Sequence, residues 1–390
     1  MKIGIYGGAF DPLHRGHITA AQAAAQQLGL DLLLLIPASI PPHKALPEGG
    51  ADAAQRLEMA TLATAELSCP AQVLDVEVRR QGKSYTADTL RTLRRQYPED
   101  ELWLLMGTDM FLSLQDWHEP QEILRLVRVA AFSRTGDPEQ QRFARQRAYL
   151  EKTFGAQVTV VENPHVVDIS STRLRQLLPE GREYLPEAVY GYILRQRLYG
   201  THAELKHLTP EELRPIALSF LKPKRMPHVL GTEQEAIRLA RRYGADETDA
   251  RIAALLHDCT KKLDMEQQLA LCRRYDIRLD ELEQHALKLL HAKTGAAVAR
   301  DIFGVKDAVY EAIRWHTTGK PDMTLLEKVI YLADYIEPNR DFPGVDELRR
   351  AVYDDLDKGL LMGLSDTIDE MERMGNPVHH DTLEARDFLL

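Results

Sequence analysis

Cysteine is scarce in this sequence of 390 residues, which contains only Cys69, Cys259 and Cys272. The three are scattered with no Cys-x-x-Cys spacing, which argues against a zinc knuckle and is typical of a reducing compartment. A basic leader segment and an apolar run long enough to cross a bilayer are also lacking. We therefore expect a cytoplasmic protein without a signal peptide or a membrane span.

An excess of positive charge is absent as well. The formal net charge is -10 at pH 7, whereas a general nucleic-acid binder needs basic patches that neutralise phosphates. Small phosphorylated ligands remain compatible with this balance, because they need only local positive charge. The hydrophobic share of 44% indicates a globular protein, and the length is too great for one ordinary core. We expect two or three domains.

The most informative stretch that is present covers residues 4–17, which read Gly-Ile-Tyr-Gly-Gly-Ala-Phe-Asp-Pro-Leu-His-Arg-Gly-His. Gly7 and Gly8 follow a predicted strand and would let a ligand approach the main chain closely. His14 and His17 lie where an Ala- and Gln-rich helix begins. Two imidazoles beside the unpaired N–H groups of a helix N-terminus predict an anion site.

Short apolar runs alternate with helical patterns through the first half of the sequence. The predicted strands are residues 2–6, 32–36, 73–78, 102–106, 127–132 and 158–161. Amphipathic spacing predicts helices at 52–67 and 85–97. This alternation indicates an α/β, Rossmann-like domain with a mostly parallel sheet covered by helices on both faces. Ligands of such sheets bind at the carboxyl ends of the strands, where four polar clusters fall: 7–17, 41–44, 107–109 and 169–175.

A second phosphate-binding element is predicted at residues 170–175, Ser-Ser-Thr-Arg-Leu-Arg, which open a short helix. Hydroxyl and N–H groups at that N-terminus can hold terminal phosphates, and an arginine one turn on can clamp them. The alternative is a simple Ser/Thr helix cap with a solvated arginine. The pairing with residues 14–17 favours the phosphate site.

Together these motifs resemble the nucleotidylyltransferase superfamily, and residues 1 to about 200 resemble bacterial nicotinate-nucleotide adenylyltransferases. The matching pieces include Gly-Gly-x-Phe-Asp-Pro-x-His-x-Gly-His at 7–17, Pro-Pro-His-Lys at 41–44, Ser-Tyr-Thr at 84–86, Gly-x-Asp at 107–109, Trp117, and Ile-Ser-Ser-Thr-x-x-Arg at 169–175. The resemblance implies adenylyl transfer from ATP, accompanied by Mg²⁺, to nicotinate mononucleotide. Thr108 stands where the family often has Ala.

The resemblance also implies roles for individual residues. It makes His14 and His17 the catalytic groups that bind ATP phosphates and stabilise the transition state. Lys44 and Thr86 would lie toward the pyridine mononucleotide, and Trp117 would stack on its ring. The predicted ATP- and substrate-binding set is Gly7, Gly8, Phe10, Lys44, Tyr85, Thr86, Gly107, Asp109, Trp117, Ser171, Thr172 and Arg175. Because the acceptor phosphate can attack the α-phosphorus directly, no protein nucleophile is needed, and catalysis rests on positioning and charge stabilisation.

Strand signals stop after Tyr199, and the second half predicts an all-α domain. Thr209-Pro210-Glu211-Glu212 is typical of a helix start, and we place the domain boundary between residues 204 and 205. Six polar residues stand out in this half, and most of them follow or end an apolar helical segment, such as 286–290. The six are His228, His257, Asp258, His291, His316 and Asp334. Imidazole and carboxylate groups suit a borderline transition metal.

The order of these six residues resembles the HD-domain phosphohydrolases. More narrowly, residues 210–390 resemble the YqeK family of symmetrical diadenosine tetraphosphate hydrolases, through Leu-Leu-His-Asp-Cys-Thr-Lys at 255–261, Trp-His-Thr-Thr-Gly at 315–319 and Tyr-Leu-Ala-Asp-Tyr-Ile-Glu-Pro-Asn-Arg at 331–340. The resemblance implies that all six residues bind a two-iron centre. Lys261 and Arg340 are candidate phosphate contacts, and Lys261 would also have a catalytic role. The alternative is that both are solvated charges. Ala292-Lys293 follow His291 where the family more often has Gly-Pro.

These patterns predict a bifunctional enzyme whose ligands are ATP, nicotinate mononucleotide and diadenosine tetraphosphate, with no nucleic-acid or membrane partner. A homo-oligomer is compatible with the sequence. One alternative is an adenylyltransferase for another acceptor such as phosphopantetheine, against which Trp117 and residues 41–44 argue. The other is an HD half that senses nucleotides and regulates the first half, against which the intact set of six ligands argues.

Overall fold

The computed structural model describes residues 1–39, 49–80, 84–133, 137–163 and 165–390. Lys44 and its neighbours at 41–44 lie outside the described residues. The chain divides into two units, residues 1–202 and 203–390. The boundary predicted between residues 204 and 205 stays a prediction of where one activity ends and the other begins.

Six parallel strands form the sheet of the first unit, in the spatial order β3-β2-β1-β4-β5-β6. They are β1 Lys2–Gly8, β2 Leu32–Pro37, β3 Ala71–Val73, β4 Glu101–Met106, β5 Arg128–Ser133 and β6 Val158–Glu162. The predicted parallel α/β class is therefore confirmed. Strands such as β2 read as continuous apolar runs because both faces of a parallel sheet are buried. The chain order reverses between β1 and β4, which opens a crevice at their carboxyl ends.

The strand predicted at residues 73–78 is wrong over most of its length. β3 ends at Val73, and residues 76–79 form a turn in which the Arg79 N–H donates to the Asp75 carbonyl at 2.9 Å. The alternating apolar and acidic residues of this segment therefore lie in a turn and not in a strand. The turn carries Glu77, which is buried.

Eight helices occur in the described part of the first unit, and local capping sets where several of them begin. They are α1 Arg15–Leu28, α2 Ala53–Ala63, α3 Thr86–Gln96, α4 Thr108–Leu112, α5 Pro120–Leu126, α6 Asp137–Phe154, α7 Ser171–Leu177 and α8 Glu187–Gln196. α2 starts after a reciprocal cap, since the Gln55 N–H donates to Asp52 Oδ1 at 2.7 Å and the Asp52 N–H donates to Gln55 Oε1 at 2.9 Å. Such caps satisfy N–H groups that the helix itself leaves unpaired.

The second unit is helical, which confirms the predicted all-α class. Its helices are α9 Pro210–Leu218, α10 Met226–Tyr243, α11 Glu247–Leu256, α12 Met265–Arg274, α13 Leu287–Phe303, α14 Asp307–Trp315, α15 Leu325–Ile336, α16 Val345–Asp354, α17 Leu356–Arg373 and α18 His380–Leu389. Thr209 and Glu212 cap α9 reciprocally, as the sequence predicts. Helices α10, α11 and α15 pack together around buried residues such as Val229, Ala253 and Val329. No described helix combines the length and the apolar character that crossing a membrane requires.

Candidate functional sites

Two histidines form the N-terminal cap of α1. His14 is the N-cap residue, and its Nδ1 accepts a hydrogen bond from the Gly16 N–H at 3.2 Å. His17 Nδ1 accepts in turn from the His14 N–H at 3.2 Å. A neutral imidazole carries its proton on the nitrogen that does not accept. Each ring therefore has an Nε2–H group that it can donate to a phosphate oxygen.

Burial keeps both of these imidazoles neutral. It lowers the pKa of His14 to about 4. It also lowers the pKa of His17 well below its ordinary value, and the adjacent His14 adds to that effect. The two ring centroids lie 3.9 Å apart. The two histidines from which an anion site was predicted thus present neutral N–H donors at the positive end of the α1 dipole.

Two glycines make room for this arrangement. A Cβ atom on Gly16 would lie 3.0 Å from the His14 ring and 3.2 Å from the Val167 carbonyl oxygen. A Cβ atom on Gly8 would lie 2.9 Å from the ring of Phe10. Any side chain at these positions would displace an aromatic ring that borders the site.

A cavity of about 410 Å³ lies at the carboxyl ends of β1 and β4. Ten of the predicted site residues line it: Gly7, Gly8, Phe10, His17, Tyr85, Thr86, Gly107, Trp117, Ser171 and Arg175. His14, Asp109 and Thr172 are not in its lining. Asp109 is exposed on α4, and exposed Thr172 accepts a hydrogen bond from Arg175 Nη2 at 3.3 Å.

Asp11 joins the glycine-rich loop to the segment that opens α7. Arg175 Nη1 donates to the Asp11 carbonyl at 2.6 Å and lies 3.6 Å from Asp11 Oδ2. The Tyr199 hydroxyl donates to Asp11 Oδ1 at 2.6 Å. Ser171 Oγ donates to the Pro12 carbonyl at 3.0 Å. The two phosphate-binding elements predicted from the sequence are therefore adjacent, and Asp11, which the sequence analysis did not assign, holds them together.

Arg56 is a second residue that the sequence analysis missed. It is fully buried, and its guanidinium donates to the carbonyls of Ala9 at 2.8 Å and Ser39 at 3.1 Å, and also to that of Ala38. It thereby ties together the segments that follow β1 and β2. A lone arginine in an amphipathic helix gives no sequence signal for this role, because such residues are usually solvated.

The lining of the cavity also includes two neighbouring aromatic rings and a buried acid. Tyr85 precedes α3, and its ring centroid lies 4.4 Å from that of His118. Glu77 lines the cavity and accepts a hydrogen bond from Thr89 Oγ1 at 2.8 Å. Burial raises the pKa of the Glu77 carboxyl, and the Thr89 bond opposes that shift. Glu77 and His118 were not predicted, the former because its segment was read as a strand.

In the second unit, five of the helices bring the six predicted metal ligands together. His228 is in α10, His257 and Asp258 follow α11, His291 is in α13, His316 follows α14, and Asp334 is in α15. His291 is the fifth residue of α13, so residues 287–290 are its first turn. His291 therefore follows a helical segment, as predicted, and α13 continues beyond it to Phe303.

Asp258 lies between two groups of ligand atoms. Its Oδ2 is 3.5 Å from His257 Nε2 and 4.0 Å from His228 Nε2. Its Oδ1 is 3.2 Å from His291 Nε2 and 4.0 Å from His316 Nε2. Asp334 Oδ1 completes the first group, 2.8 Å from His228 Nε2 and 3.8 Å from His257 Nε2. The geometry thus gives two adjacent ligand sets that share one carboxylate.

The donor chemistry fits metal binding. The Nδ1 atoms of His257 and His316 lie 2.6 Å from the carbonyls of Ala254 and Ile313, which fixes the rings and leaves each Nε2 as the ligand atom. His257 Nε2 is buried and has no hydrogen-bond partner in the part of the chain that the structure describes. Burial lowers the pKa of His316 to about 4, and a neutral imidazole is the form that binds a metal. Nitrogen and oxygen donors together suit divalent transition metals.

Glu337 supports the first ligand group and was not predicted. Its Oε1 lies 3.1 Å from His228 Nδ1, and its Oε2 accepts from the Asn339 side chain at 2.9 Å and the Asn339 N–H at 2.7 Å. A Cβ atom on Gly231 would lie 2.1 Å from Glu337 Oε2, so only glycine leaves space for the carboxylate. The signal was present in the Glu-Pro-Asn-Arg run at 337–340, of which the sequence analysis assigned only the arginine.

Three cationic side chains surround the cluster. Lys261 Nζ is 2.9 Å from His291 Nε2 and 3.6 Å from Asp258 Oδ1. Arg340 Nη2 is 2.9 Å from Asp334 Oδ1. Arg225, which was not predicted, pairs through Nε with Asp258 Oδ2 at 2.5 Å. Positive charge therefore lies close to the shared carboxylate of Asp258 and to the carboxylate of Asp334.

Comparison with known proteins gives separate matches for the two halves. A family model described as cytidylyltransferase-like matches residues 5–177, and a model of the HD domain matches residues 225–339. A protein of Gloeobacter violaceus named "Probable nicotinate-nucleotide adenylyltransferase" is 42% identical over 209 residues, which are 52% of this chain and 98% of that protein.

Two relatives of the second half carry the name "Bis(5'-nucleosyl)-tetraphosphatase, symmetrical". The protein of Halalkalibacterium halodurans is 41% identical over 179 residues, 45% of this chain and 95% of its own length. That of Bacillus subtilis is 42% identical over 181 residues, 46% of this chain and 97% of its own length. Both resemblances identified from the motifs are thereby confirmed. The chain belongs to the nicotinate-nucleotide adenylyltransferase family through its first half and to the HD-domain family of symmetrical bis(5'-nucleosyl)-tetraphosphatases through its second.

Proposed function

We propose that this single chain catalyses two reactions. The first unit transfers an adenylyl group from ATP to nicotinate mononucleotide, which gives deamido-NAD and pyrophosphate. The second unit hydrolyses diadenosine tetraphosphate symmetrically to two ADP in a metal-dependent reaction. The observation that carries the proposal is that the chain holds both a histidine-capped nucleotide cavity and a cluster of six metal-ligand side chains.

In the first unit, the N-terminus of α1 is the proposed binding site for the ATP phosphates, supplied as the Mg²⁺ complex. The Nε2–H groups of His14 and His17 donate to phosphate oxygens and stabilise the charge that develops as pyrophosphate leaves. Ser171, Thr172 and Arg175 hold the outer phosphates from the facing helix α7. The phosphate of the acceptor attacks the α-phosphorus, and the cavity contributes by holding the two substrates in line.

The acceptor occupies the part of the cavity beside Tyr85, Thr86 and Trp117. The N–H groups of Asp88 and Thr89 donate to the Tyr85 carbonyl. Those of Thr86 and Ala87 come before the first hydrogen bond of the helix, so they can bind the carboxylate of the nicotinate ring while Trp117 stacks on the ring. A site built to bond one group rejects an analogue that lacks it. We therefore expect a higher kcat/KM for nicotinate mononucleotide than for nicotinamide mononucleotide, and equal values would contradict this placement.

In the second unit, His228, His257, Asp258 and Asp334 would hold one divalent ion, and Asp258, His291 and His316 a second, with iron the metal that the family resemblance implies. Ions of this kind supply Lewis acidity toward a phosphoryl oxygen and a source of hydroxide near neutral pH. Lys261, Arg340 and Arg225 bind phosphate oxygens of the substrate and orient the bond to be cleaved.

Charge matching supports a tetraphosphate as the substrate. The carboxylates of Asp258, Asp334 and Glu337 offset the three cations Arg225, Lys261 and Arg340 that lie beside them. Imidazoles bind metal ions in their neutral form, so two bound divalent ions would leave four positive charges. A bridge of four phosphates between two nucleosides carries one negative charge per phosphate, which balances this site.

The test is an assay of the purified full chain with each substrate set, followed by separation of the nucleotides. We expect deamido-NAD and pyrophosphate from ATP and nicotinate mononucleotide, and ADP alone from diadenosine tetraphosphate with Fe²⁺ or Mn²⁺. Turnover of phosphopantetheine in place of the mononucleotide would refute the first assignment. AMP and ATP as products would refute symmetrical cleavage, and binding of the tetraphosphate without cleavage would indicate a sensing module.

Matched variants separate the two activities. Asp258→Ala removes the carboxylate shared by both ligand groups, so it should abolish hydrolysis and leave adenylyl transfer unchanged. His17→Ala should strongly lower adenylyl transfer and leave hydrolysis unchanged. A variant that removes both activities together would contradict the assignment of one reaction to each unit.

A further inference from the structure

Among the four histidines of the metal-ligand cluster, His291 is held in a different way from the others. The Nδ1 atoms of His257 and His316 lie 2.6 Å from backbone carbonyls. That of His228 lies 3.1 Å from Glu337 Oε1. His291 Nδ1 is buried and has no hydrogen-bond partner among the residues that the structure describes. Because a ligating imidazole usually takes its orientation from a bond on its other nitrogen, the position of His291 must come from the backbone of α13.

Three buried polar side chains tie that backbone to the loop that follows α11. The Thr260 hydroxyl is within donating distance of the His291 carbonyl, at 3.1 Å, and of Thr294 Oγ1, at 2.9 Å. Thr294 Oγ1 donates to Gln268 Oε1 at 2.6 Å, and Gln268 Nε2 donates to the Thr260 carbonyl at 2.8 Å. These bonds form a closed ring, called the threonine–glutamine ring below, which joins α12, α13 and residues 257–261.

Burial and amide geometry give the threonine–glutamine ring a single arrangement. Thr294 is fully buried, and Gln268 and Thr260 are 1% and 3% exposed. Buried polar atoms need hydrogen-bond partners, and both the oxygen and the nitrogen of the Gln268 amide have one here. The reverse orientation of that amide would set its oxygen against the Thr260 carbonyl oxygen, and two acceptors cannot bond to each other. The ring therefore holds residue 260 and α13 at one fixed separation.

The threonine–glutamine ring acts on the second of the two ligand groups. The loop that follows α11 carries Asp258, whose Oδ1 is 3.2 Å from His291 Nε2. These two residues belong together only in the second group, of which His316 is the third member. His228 and Asp334 of the first group are in α10 and α15, which contribute no residue to the ring. A broken ring would therefore let His291 move relative to Asp258 and would leave the first group in place.

We propose that Thr260, Gln268 and Thr294 are positioning residues for the second metal ion. They hold the backbone of His291 at the distance from Asp258 that an ion bound by both requires, so they set the affinity for this ion and not for the first. The ring supplies no ligand atom and acts only through α13 and the loop. The inference rests on the proposed function, because it takes the cluster to be a site for two ions.

Equilibrium binding of Mn²⁺ to the full chain provides the test. The chain is stripped of metal with a chelator and dialysed against rising concentrations of Mn²⁺. Thr294→Val removes one hydroxyl of the ring and keeps the shape of the side chain. We expect the wild type to bind two ions, and this variant to bind the first ion unchanged but the second about 10–100-fold more weakly. Thr294→Ser, which retains the hydroxyl, should recover the wild-type affinity, and Gln268→Leu, which removes both amide bonds, should repeat the loss.

Thr382→Val is the matched control, because Thr382 is a buried threonine of α18 outside the ring, and it should bind both ions as the wild type does. Ring variants that bind both ions with wild-type affinity would overturn the inference. Equal weakening of both ions would overturn it as well, since that result indicates a general structural role. A wild-type chain that binds fewer than two ions would refute the proposed two-metal site itself, and this inference with it.

Discussion

Replacement of His17 by alanine is the sharpest test of the nucleotide site, because His17 contributes a donor to the cavity and also a contact to the helix cap. The variant removes the Nε2–H group that lines the cavity and the Nδ1 acceptor of the His14 N–H, which lies 3.2 Å away. The fold should persist, since the His14 side chain still caps the Gly16 N–H.

The magnitude follows from the donor role. Loss of one preorganised donor to a developing oxyanion costs about 10²–10³ in rate, which corresponds to about 2.7–4 kcal/mol of transition-state stabilisation. The loss of one capping interaction costs only about 0.5–2 kcal/mol of stability. We therefore expect kcat for adenylyl transfer to fall by about 10²–10³, with a smaller change in the KM for nicotinate mononucleotide.

The assay measures pyrophosphate release by the full chain at saturating ATP. The same preparation is assayed for hydrolysis of diadenosine tetraphosphate, which reports the amount of chain with a folded second unit. His165→Ala serves as the matched control, because His165 is an exposed histidine of the same unit. A kcat for His17→Ala within threefold of the control would refute the role assigned to this imidazole.

Three further predictions concern supporting residues. Gly16→Ala should lower adenylyl transfer at least tenfold in the pyrophosphate assay, because the new Cβ atom would lie 3.0 Å from the His14 ring; unchanged turnover would contradict the need for glycine. Glu337→Gln should weaken metal binding about 10–100-fold in equilibrium dialysis, because it weakens the bond that orients His228; wild-type affinity would exclude that role. Burial lowers the pKa of His14 to about 4 in the folded chain, so the unfolded chain, with an ordinary value of about 6.5, binds more protons as pH falls. Between pH 7 and pH 5 the wild type should therefore lose about 2 kcal/mol of unfolding free energy relative to His14→Gln in urea denaturation, and parallel pH profiles would contradict the shift.

Much of the sheet could be predicted from the sequence, because burial on both faces requires continuous apolar runs. Residues 32–36 and 102–106 are such runs, and both lie within observed strands. The helix start at Thr209 could be predicted as well, because the residues of its capping box lie within four consecutive positions, 209–212. Residues 73–78 misled the analysis because their alternation fits a strand, while the hydrogen bond between Arg79 and Asp75 closes a turn instead.

Supporting residues of both sites escaped prediction for a different reason. Glu337 meets His228 across 109 positions of the sequence, and Tyr199 meets Asp11 across 188. No local spacing records such partners, because they are brought together only by helix packing or by the closing of the loop. The six candidate ligands of the second unit could be found despite similar separations, since their residue types and order carried a family resemblance.

The cap of α1 limits how far this chain can be stabilised by engineering. Serine or aspartate at position 14 would be a better helix cap than histidine, so a search for thermostable variants would favour these replacements. Neither supplies an imidazole N–H to a phosphate, and aspartate would repel it. Since the residues that begin the helix are also the residues proposed to bind ATP, gains in stability at this position would come at the expense of turnover.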